Sequence, residues 1–173
     1  MTKWDGWLRQ RRGVHRQWGM SDAELPPCGL YKTTVASLDG IKADRLVYFH
    51  NHGKPGPGVY YPSGWQDNRA RFDSRGIVIP SNEYARSLEA LPAEGFYRVQ
   101  TTFHCCDKEC REFLPNDLVQ LGYNSKAMPI LFIPGYREGD FHLPETGFPV
   151  DMERVEAHLQ ALRIGNFDTT ASH

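Results

Sequence analysis

A run of reactive side chains stands just past the middle of the chain. Residues 104–110 read His-Cys-Cys-Asp-Lys-Glu-Cys and hold three of the four cysteines. Cys106 and Cys110 are four residues apart, a spacing that places two side chains on one face of a helix. Thiolates and imidazoles are preferred ligands of Zn²⁺, and a structural zinc site takes four ligands in a tetrahedron. The run is therefore a candidate metal site.

Two further histidines can complete such a site. His50 and His52 are separated by one residue, so both imidazoles lie on one face if this segment is a strand. The site requires the two segments to be adjacent strands, with ligand atoms about 2.0–2.3 Å from one ion. The predicted zinc ligands are Cys106, Cys110, His104, His50 and His52.

The same thiols have two other interpretations. Lys108, Arg111 and His104 favour a reactive thiolate, whereas Asp107 and Glu109 oppose it. In that redox interpretation, one thiol of the vicinal pair at 105 and 106 forms a disulfide with Cys110. In the simplest interpretation the cysteines only fill space, since reduced cysteine is common in protein cores.

The first 26 residues form a second candidate functional segment. They hold three of the four tryptophans, and residues 1–20 carry a net charge of about +4. Tryptophan and arginine are enriched at binding hot spots, and exposed apolar side chains indicate an interface. Docking onto the protein's own body or onto a membrane surface are the alternatives to a protein partner. The predicted partner-binding residues are Trp4, Trp7, Arg11, Arg12 and Trp18, together with Trp65 and Arg69 of a later polar stretch.

Beyond these residues the pattern is that of short strands. Runs rich in aromatic and β-branched residues alternate with turn sequences rich in glycine, proline and asparagine. The fold class we predict is mainly β (α+β), as a small antiparallel barrel or bent sheet. The predicted strands are 30–35, 45–50, 58–61, 77–79, 95–103, 118–123 and 129–133.

Two segments are predicted to be helical. Residues 81–91 begin with Ser81 as a cap, and residues 151–164 have an apolar stripe, with Asp151 at the start and Gly165 at the end. Pro26-Pro27 separates the arm from the body. The predicted organisation is a basic Trp-rich arm (1–26), a mainly β domain (27–148), and a C-terminal helix with a frayed tail (149–173).

Composition narrows the class of protein. A chain of 173 residues with 40% hydrophobic residues and a net charge of -1 is expected to be globular. Its apolar runs are too short to span a bilayer and its N-terminus lacks a signal peptide, so we expect a cytoplasmic protein. The net negative charge of the body argues against nucleic-acid binding.

These observations favour a non-catalytic role. The sequence contains no nucleophile motif of the form Gly-x-Ser-x-Gly and no obvious acid–base pair, so no catalytic residue is assigned. We predict a protein-binding or assembly subunit that engages a protein partner, or a second copy of itself, through the arm and the loops of residues 50–68. The alternative is a metal- or thiol-dependent enzyme with zinc in the Cys/His cluster.

Overall fold

The structure, a computed structural model, describes residues 24–163. Its first half contains β1 (Gly29–Lys32), β2 (Leu46–His50), β3 (Gly58–Tyr60), β4 (Pro62–Gln66), β5 (Arg69–Phe72), β6 (Ile77–Val78), α1 (Asn82–Arg86) and β7 (Glu89–Ala90). Its second half contains β8 (Gly95–Val99), β9 (Phe103–His104), β10 (Glu112–Phe113), β11 (Leu118–Tyr123), β12 (Pro129–Phe132), β13 (Gly135–Arg137), β14 (Asp140–His142), β15 (Phe148–Pro149), α2 (Met152–His158) and β16 (Leu159–Ala161).

Two five-stranded antiparallel sheets form the body. The first has the order β6-β3-β2-β1-β7, and the second has the order β15-β12-β11-β8-β16. Three two-stranded hairpins, β4–β5, β9–β10 and β13–β14, accompany them. The mainly β prediction is confirmed. Both large sheets end in edge strands, so within residues 24–163 neither closes into the predicted barrel.

Each sheet has its own hydrophobic core. Val47, Phe49 and Val59 of the first sheet are fully buried, and α1 packs Tyr84 and Ala85 against them. The second sheet buries a larger cluster to which β9, β10 and α2 contribute. The cores adjoin through the start of β2, whose first side chain belongs to the second cluster. The body is thus two sheets in contact.

The C-terminal segment corrects one prediction. The helix α2 ends at His158, not near residue 164, and Leu159 is extended and pairs with Val99 at the edge of the second sheet. Without this pairing β8 would be an edge strand with unpaired backbone groups, and pairing with them outweighs continued helix. Val155 remains on the buried face of α2, as the apolar stripe predicts.

The other predicted helix is confirmed at its start only. The Ser81 hydroxyl accepts a hydrogen bond from the backbone N–H of Tyr84 at 3.2 Å, as expected for a cap. The helix ends at Arg86, and Glu89–Ala90 pairs with β1 instead. The segment 62–64, which has turn composition, begins the irregular hairpin β4–β5.

The hairpin β4–β5 is held closely against the second sheet. Its turn residues Asp67 and Asn68 have φ values of 51° and 62°, the left-handed pair that defines a type I′ turn. The buried side chain of Gln120 donates to the Asp67 carbonyl and accepts from the Asn68 amide. Gly122 on β11 lies beside this turn, and a Cβ there would stand 2.4 Å from the backbone oxygen of Asn68.

We expect Gly122→Ala to lower the free energy of unfolding by about 1–3 kcal/mol, the usual cost of overpacking. The added methyl must displace backbone rather than a flexible side chain. Denaturant unfolding of the full chain measures the change. Gly64→Ala is the matched control, because a Cβ at Gly64 meets nothing within 4 Å. Equal stability of the two variants would contradict the close approach.

In the part of the chain that the structure describes, no helix is both long enough and apolar enough to cross a bilayer.

Candidate metal centre

The pairing of β1 with β2 brings Cys28 beside His50. Gly29 is the register partner of Phe49, so the next pair outward is Cys28 with His50. The Phe49 ring is buried in the first core, and alternation along the strand turns the His50 imidazole to the opposite face. His52, two residues further on, returns to that same side. Cys28, His50 and His52 together are called the Cys28 site.

The distances in the Cys28 site match those between the ligands of one small ion. The Cys28 Sγ lies 3.4 Å from His50 Nδ1 and 3.5 Å from His52 Nδ1. All three ligand atoms lie within 4.8 Å of one another. In tetrahedral zinc, a thiolate at about 2.3 Å and an imidazole nitrogen at about 2.0 Å from the ion are about 3.5 Å apart. A single zinc ion therefore fits with small side-chain movements.

Asn51 organises the Cys28 site from within. Its backbone N–H donates to Cys28 Sγ at 3.3 Å. Its side-chain oxygen accepts from the Cys28 thiol at 3.1 Å and lies 2.8 Å from His52 Nδ1. The amide is oriented by donation from Nδ2 to the Pro26 carbonyl at 3.0 Å. The His52 nitrogen that meets the Asn51 oxygen is the same Nδ1 that faces Cys28, so a metal ion bound through it would replace this hydrogen bond.

The Cys28 site opens to solvent on one side. Cys28 and His50 are half-buried and His52 is exposed. After His52 the chain turns at Gly53, whose φ of +115° is the conformation that favours glycine. Burial, and then the charge of Cys28, raise the pKa of the neighbouring Tyr31. Within residues 24–163, the Cys28 site is the one group of at least three His, Cys, Asp or Glu side chains whose ligand atoms lie close enough together to hold a single ion.

The other three cysteines gather in a separate place. They lie where β9 turns into β10, and this segment with its cysteines is called the thiol hairpin. Cys106 Sγ is 3.7 Å from Cys105 Sγ and 3.5 Å from Cys110 Sγ. Hydrogen bonding from the backbone and thiol of Cys110, and then from the Lys108 N–H, lowers the pKa of Cys106 to about 7. The same contact with Cys106, together with its charge, raises the pKa of Cys110.

The structure divides the predicted zinc ligands between these two places. His50 and His52 join the Cys28 site, whereas Cys106 and Cys110 contact each other in the thiol hairpin. His104 Nε2 lies 4.0 Å from a carboxylate oxygen of Glu112. The five-ligand site requires β2 and β9 to be neighbouring strands. Instead, β2 lies between β1 and β3, and β9 pairs with β10.

Sequence reasoning missed two residues of the Cys28 site, Cys28 and Asn51. Cys28 stands apart from the other cysteines, directly before the first strand. That position would have indicated a metal ligand only if the pairing of the first strand with the His50 strand had been known, and the sequence does not specify this pairing. Asn51 is flanked by the two histidines, so its backbone and side chain lie where the ligands converge.

The predicted partner-binding residues lie mostly elsewhere. Trp4, Trp7, Arg11, Arg12 and Trp18 fall outside the described residues. Trp65 is half exposed, and its indole N–H donates to the Tyr123 carbonyl at 2.7 Å. Arg69 is exposed on β5. Partner binding through these residues stays a prediction.

Comparison with known proteins adds no relative. The chain matches no protein-family model. It also matches no curated protein and no solved structure.

Proposed function

We propose that this protein binds one zinc ion at the Cys28 site. The observation that carries the proposal is the convergence of one thiol and two imidazoles at 3.4 and 3.5 Å, on backbone positions set by strand pairing. Thiolate and imidazole are the ligands that zinc selects over magnesium and calcium, which prefer oxygen. The Asn51 N–H directed at the sulfur supplies a hydrogen bond that a zinc-bound thiolate can accept.

Three protein ligands leave one position of a tetrahedral ion open. A structural zinc site is closed by four protein ligands, whereas a catalytic site keeps the fourth position for water or substrate. The exposed edge at His52 gives that position access to solvent. When bound there, zinc would lower the pKa of a coordinated water to about 7. The class of activity we propose is therefore metal-assisted hydrolysis or hydration.

The first test is the metal stoichiometry of the reduced full-length protein. After removal of metal with a chelator, calorimetric titration with Zn²⁺ should show one tight site per chain. Co²⁺ in the same site should give the intense visible bands of a tetrahedral ion and a sulfur-to-cobalt charge-transfer band. Titration of a Cys106→Ser/Cys110→Ser double variant is the control, and it should still bind one ion.

Two results would overturn the proposal. Absence of stoichiometric zinc binding by the reduced chain would remove the site. Stoichiometric copper in the protein as purified, with the strong colour of a copper–thiolate centre, would replace zinc by copper, since copper electron-transfer sites also use two histidines and a cysteine.

A further inference from the structure

We propose that Cys106 and Cys110 form a reversible intramolecular disulfide, which makes the thiol hairpin a redox-active site separate from the Cys28 site. The partner chemistry is a small disulfide or a dithiol protein that exchanges with exposed thiols. The inference rests on the geometry of the hairpin and does not depend on zinc binding.

The strand register places the two cysteines opposite each other. His104 pairs with Glu112 and Phe103 with Phe113, so the next pairs are Cys105 with Arg111 and Cys106 with Cys110. The Cys105 N–H donates to the Arg111 carbonyl at 2.9 Å, which continues the ladder by one step. A hydrogen-bonded pair is followed by a non-hydrogen-bonded pair, whose Cα atoms are about 4.5 Å apart. That separation is within the range that a disulfide spans.

The side chains already point towards each other. The two sulfurs are 3.5 Å apart, and a disulfide bond is about 2.05 Å long, so closure takes a small rotation of each side chain. The turn between them is closed by a hydrogen bond from the Glu109 N–H to the Cys106 carbonyl at 3.0 Å. Cys110 is exposed and Cys106 half-buried, so a reagent in solution reaches the pair.

Cys110 is a better partner for Cys106 than Cys105 is. Cys105 is buried and its sulfur is 3.7 Å from Cys106. A bond between adjacent cysteines closes a ring that contains their own peptide bond and distorts it from planarity. The bond to Cys110 spans a turn whose backbone is already formed.

The exchange reaction has two balanced steps. The Cys106 thiolate attacks one sulfur of glutathione disulfide, forming a mixed disulfide and releasing one glutathione thiolate. The Cys110 thiolate then attacks the Cys106 sulfur and displaces the second glutathione. Two protein thiols are oxidised and one small disulfide is reduced to two thiols, and the two protons lost by the protein thiols end on the two glutathione thiols.

The two thiols suit these two roles. The lowered pKa of Cys106, near 7, makes a large fraction of it thiolate at neutral pH. The pKa of Cys110 is raised chiefly by its hydrogen bond with Cys106 and by the Cys106 charge. The mixed disulfide removes that charge, so Cys110 ionises more easily at the moment when it must attack.

The test is equilibration of the full-length protein in a glutathione redox buffer, followed by rapid alkylation and tryptic mass mapping. Trypsin cuts after Lys108, so the disulfide joins peptide 99–108 to peptide 109–111. The joined pair should form in oxidising buffer and disappear in reducing buffer. Fragmentation of the joined peptides in the wild type identifies whether Cys105 or Cys106 is bridged.

Variants separate this proposal from zinc binding. Cys110→Ser should give a stable glutathione adduct on Cys106, and Cys28→Ala should leave the disulfide unchanged. The rate of the first step should fall about tenfold for each pH unit well below 7, as the Cys106 thiolate is protonated. A glutathione adduct on wild-type Cys106 with Cys110 fully alkylated would overturn the proposal, and so would a bridge at Cys105.

Discussion

Replacing Cys28 by alanine is expected to weaken zinc binding by the full-length protein at least about 100-fold. Loss of an outer contact to a metal ligand costs about 10–100-fold, and loss of the thiolate ligand itself should cost more. The remaining imidazoles, His50 and His52, would form only a two-ligand site. Competition against a chromophoric chelator measures the change in affinity, and loss of the sulfur-to-cobalt band identifies the missing ligand.

The matched control for this experiment is Cys110→Ser. Cys110 is exposed in the thiol hairpin and contacts Cys106, so its substitution should leave zinc affinity unchanged. Comparison of the Cys28 and Cys110 variants also distinguishes the zinc site predicted from sequence, which includes Cys110 and omits Cys28, from the Cys28 site. Zinc affinity that depends on Cys110 and not on Cys28 would contradict the Cys28 site.

Replacing Phe113 by alanine should lower the free energy of unfolding by about 3–5 kcal/mol, the cost of deleting a buried ring. Phe113 is fully buried, stacks on Phe103 with ring centroids 4.8 Å apart, and meets Phe148 edge-on at 6.1 Å. These contacts fix the thiol hairpin to the second core. Denaturant unfolding measures the loss, with slopes compared to confirm two-state behaviour.

Phe141→Ala is the control for the same chemical change on the surface. Phe141 lies on the hairpin β13–β14 and is 53% exposed. Its removal should change the free energy of unfolding by less than about 1 kcal/mol, since the half-exposed ring buries little apolar area on folding. Similar losses for the two phenylalanines would show that the thiol hairpin is not anchored by its aromatic contacts.

Local physical chemistry explains which parts of the fold could be predicted. Every predicted strand has a counterpart in the structure, because aromatic and β-branched residues favour extended backbone wherever they occur in short runs. The cap at Ser81 was equally readable, since its hydroxyl satisfies a backbone N–H three residues away. The confirmed predictions are those in which neighbouring residues decide the outcome.

Non-local pairing explains the errors. Residues 159–161 have helical periodicity in sequence, yet they form the edge strand of a sheet by pairing with β8, which lies more than fifty residues earlier in the chain. The strand β4 begins at Pro62 and includes Gly64, both typical of turns, and the turn of its hairpin is fixed by hydrogen bonds with the Gln120 side chain. Neither contact leaves a local trace in the sequence.

The sequence by itself determined the mainly β character and pointed to the cysteines and histidines as the reactive groups. Only the tertiary structure decided how those groups are combined. The register that pairs Gly29 with Phe49 places Cys28 beside His50, and the register of β9 with β10 pairs the thiols of 106 and 110 with each other. Register depends on which side chains two distant segments bury together. The sequence therefore groups the cysteines and histidines into one site, and strand pairing divides them into a metal site and a thiol pair.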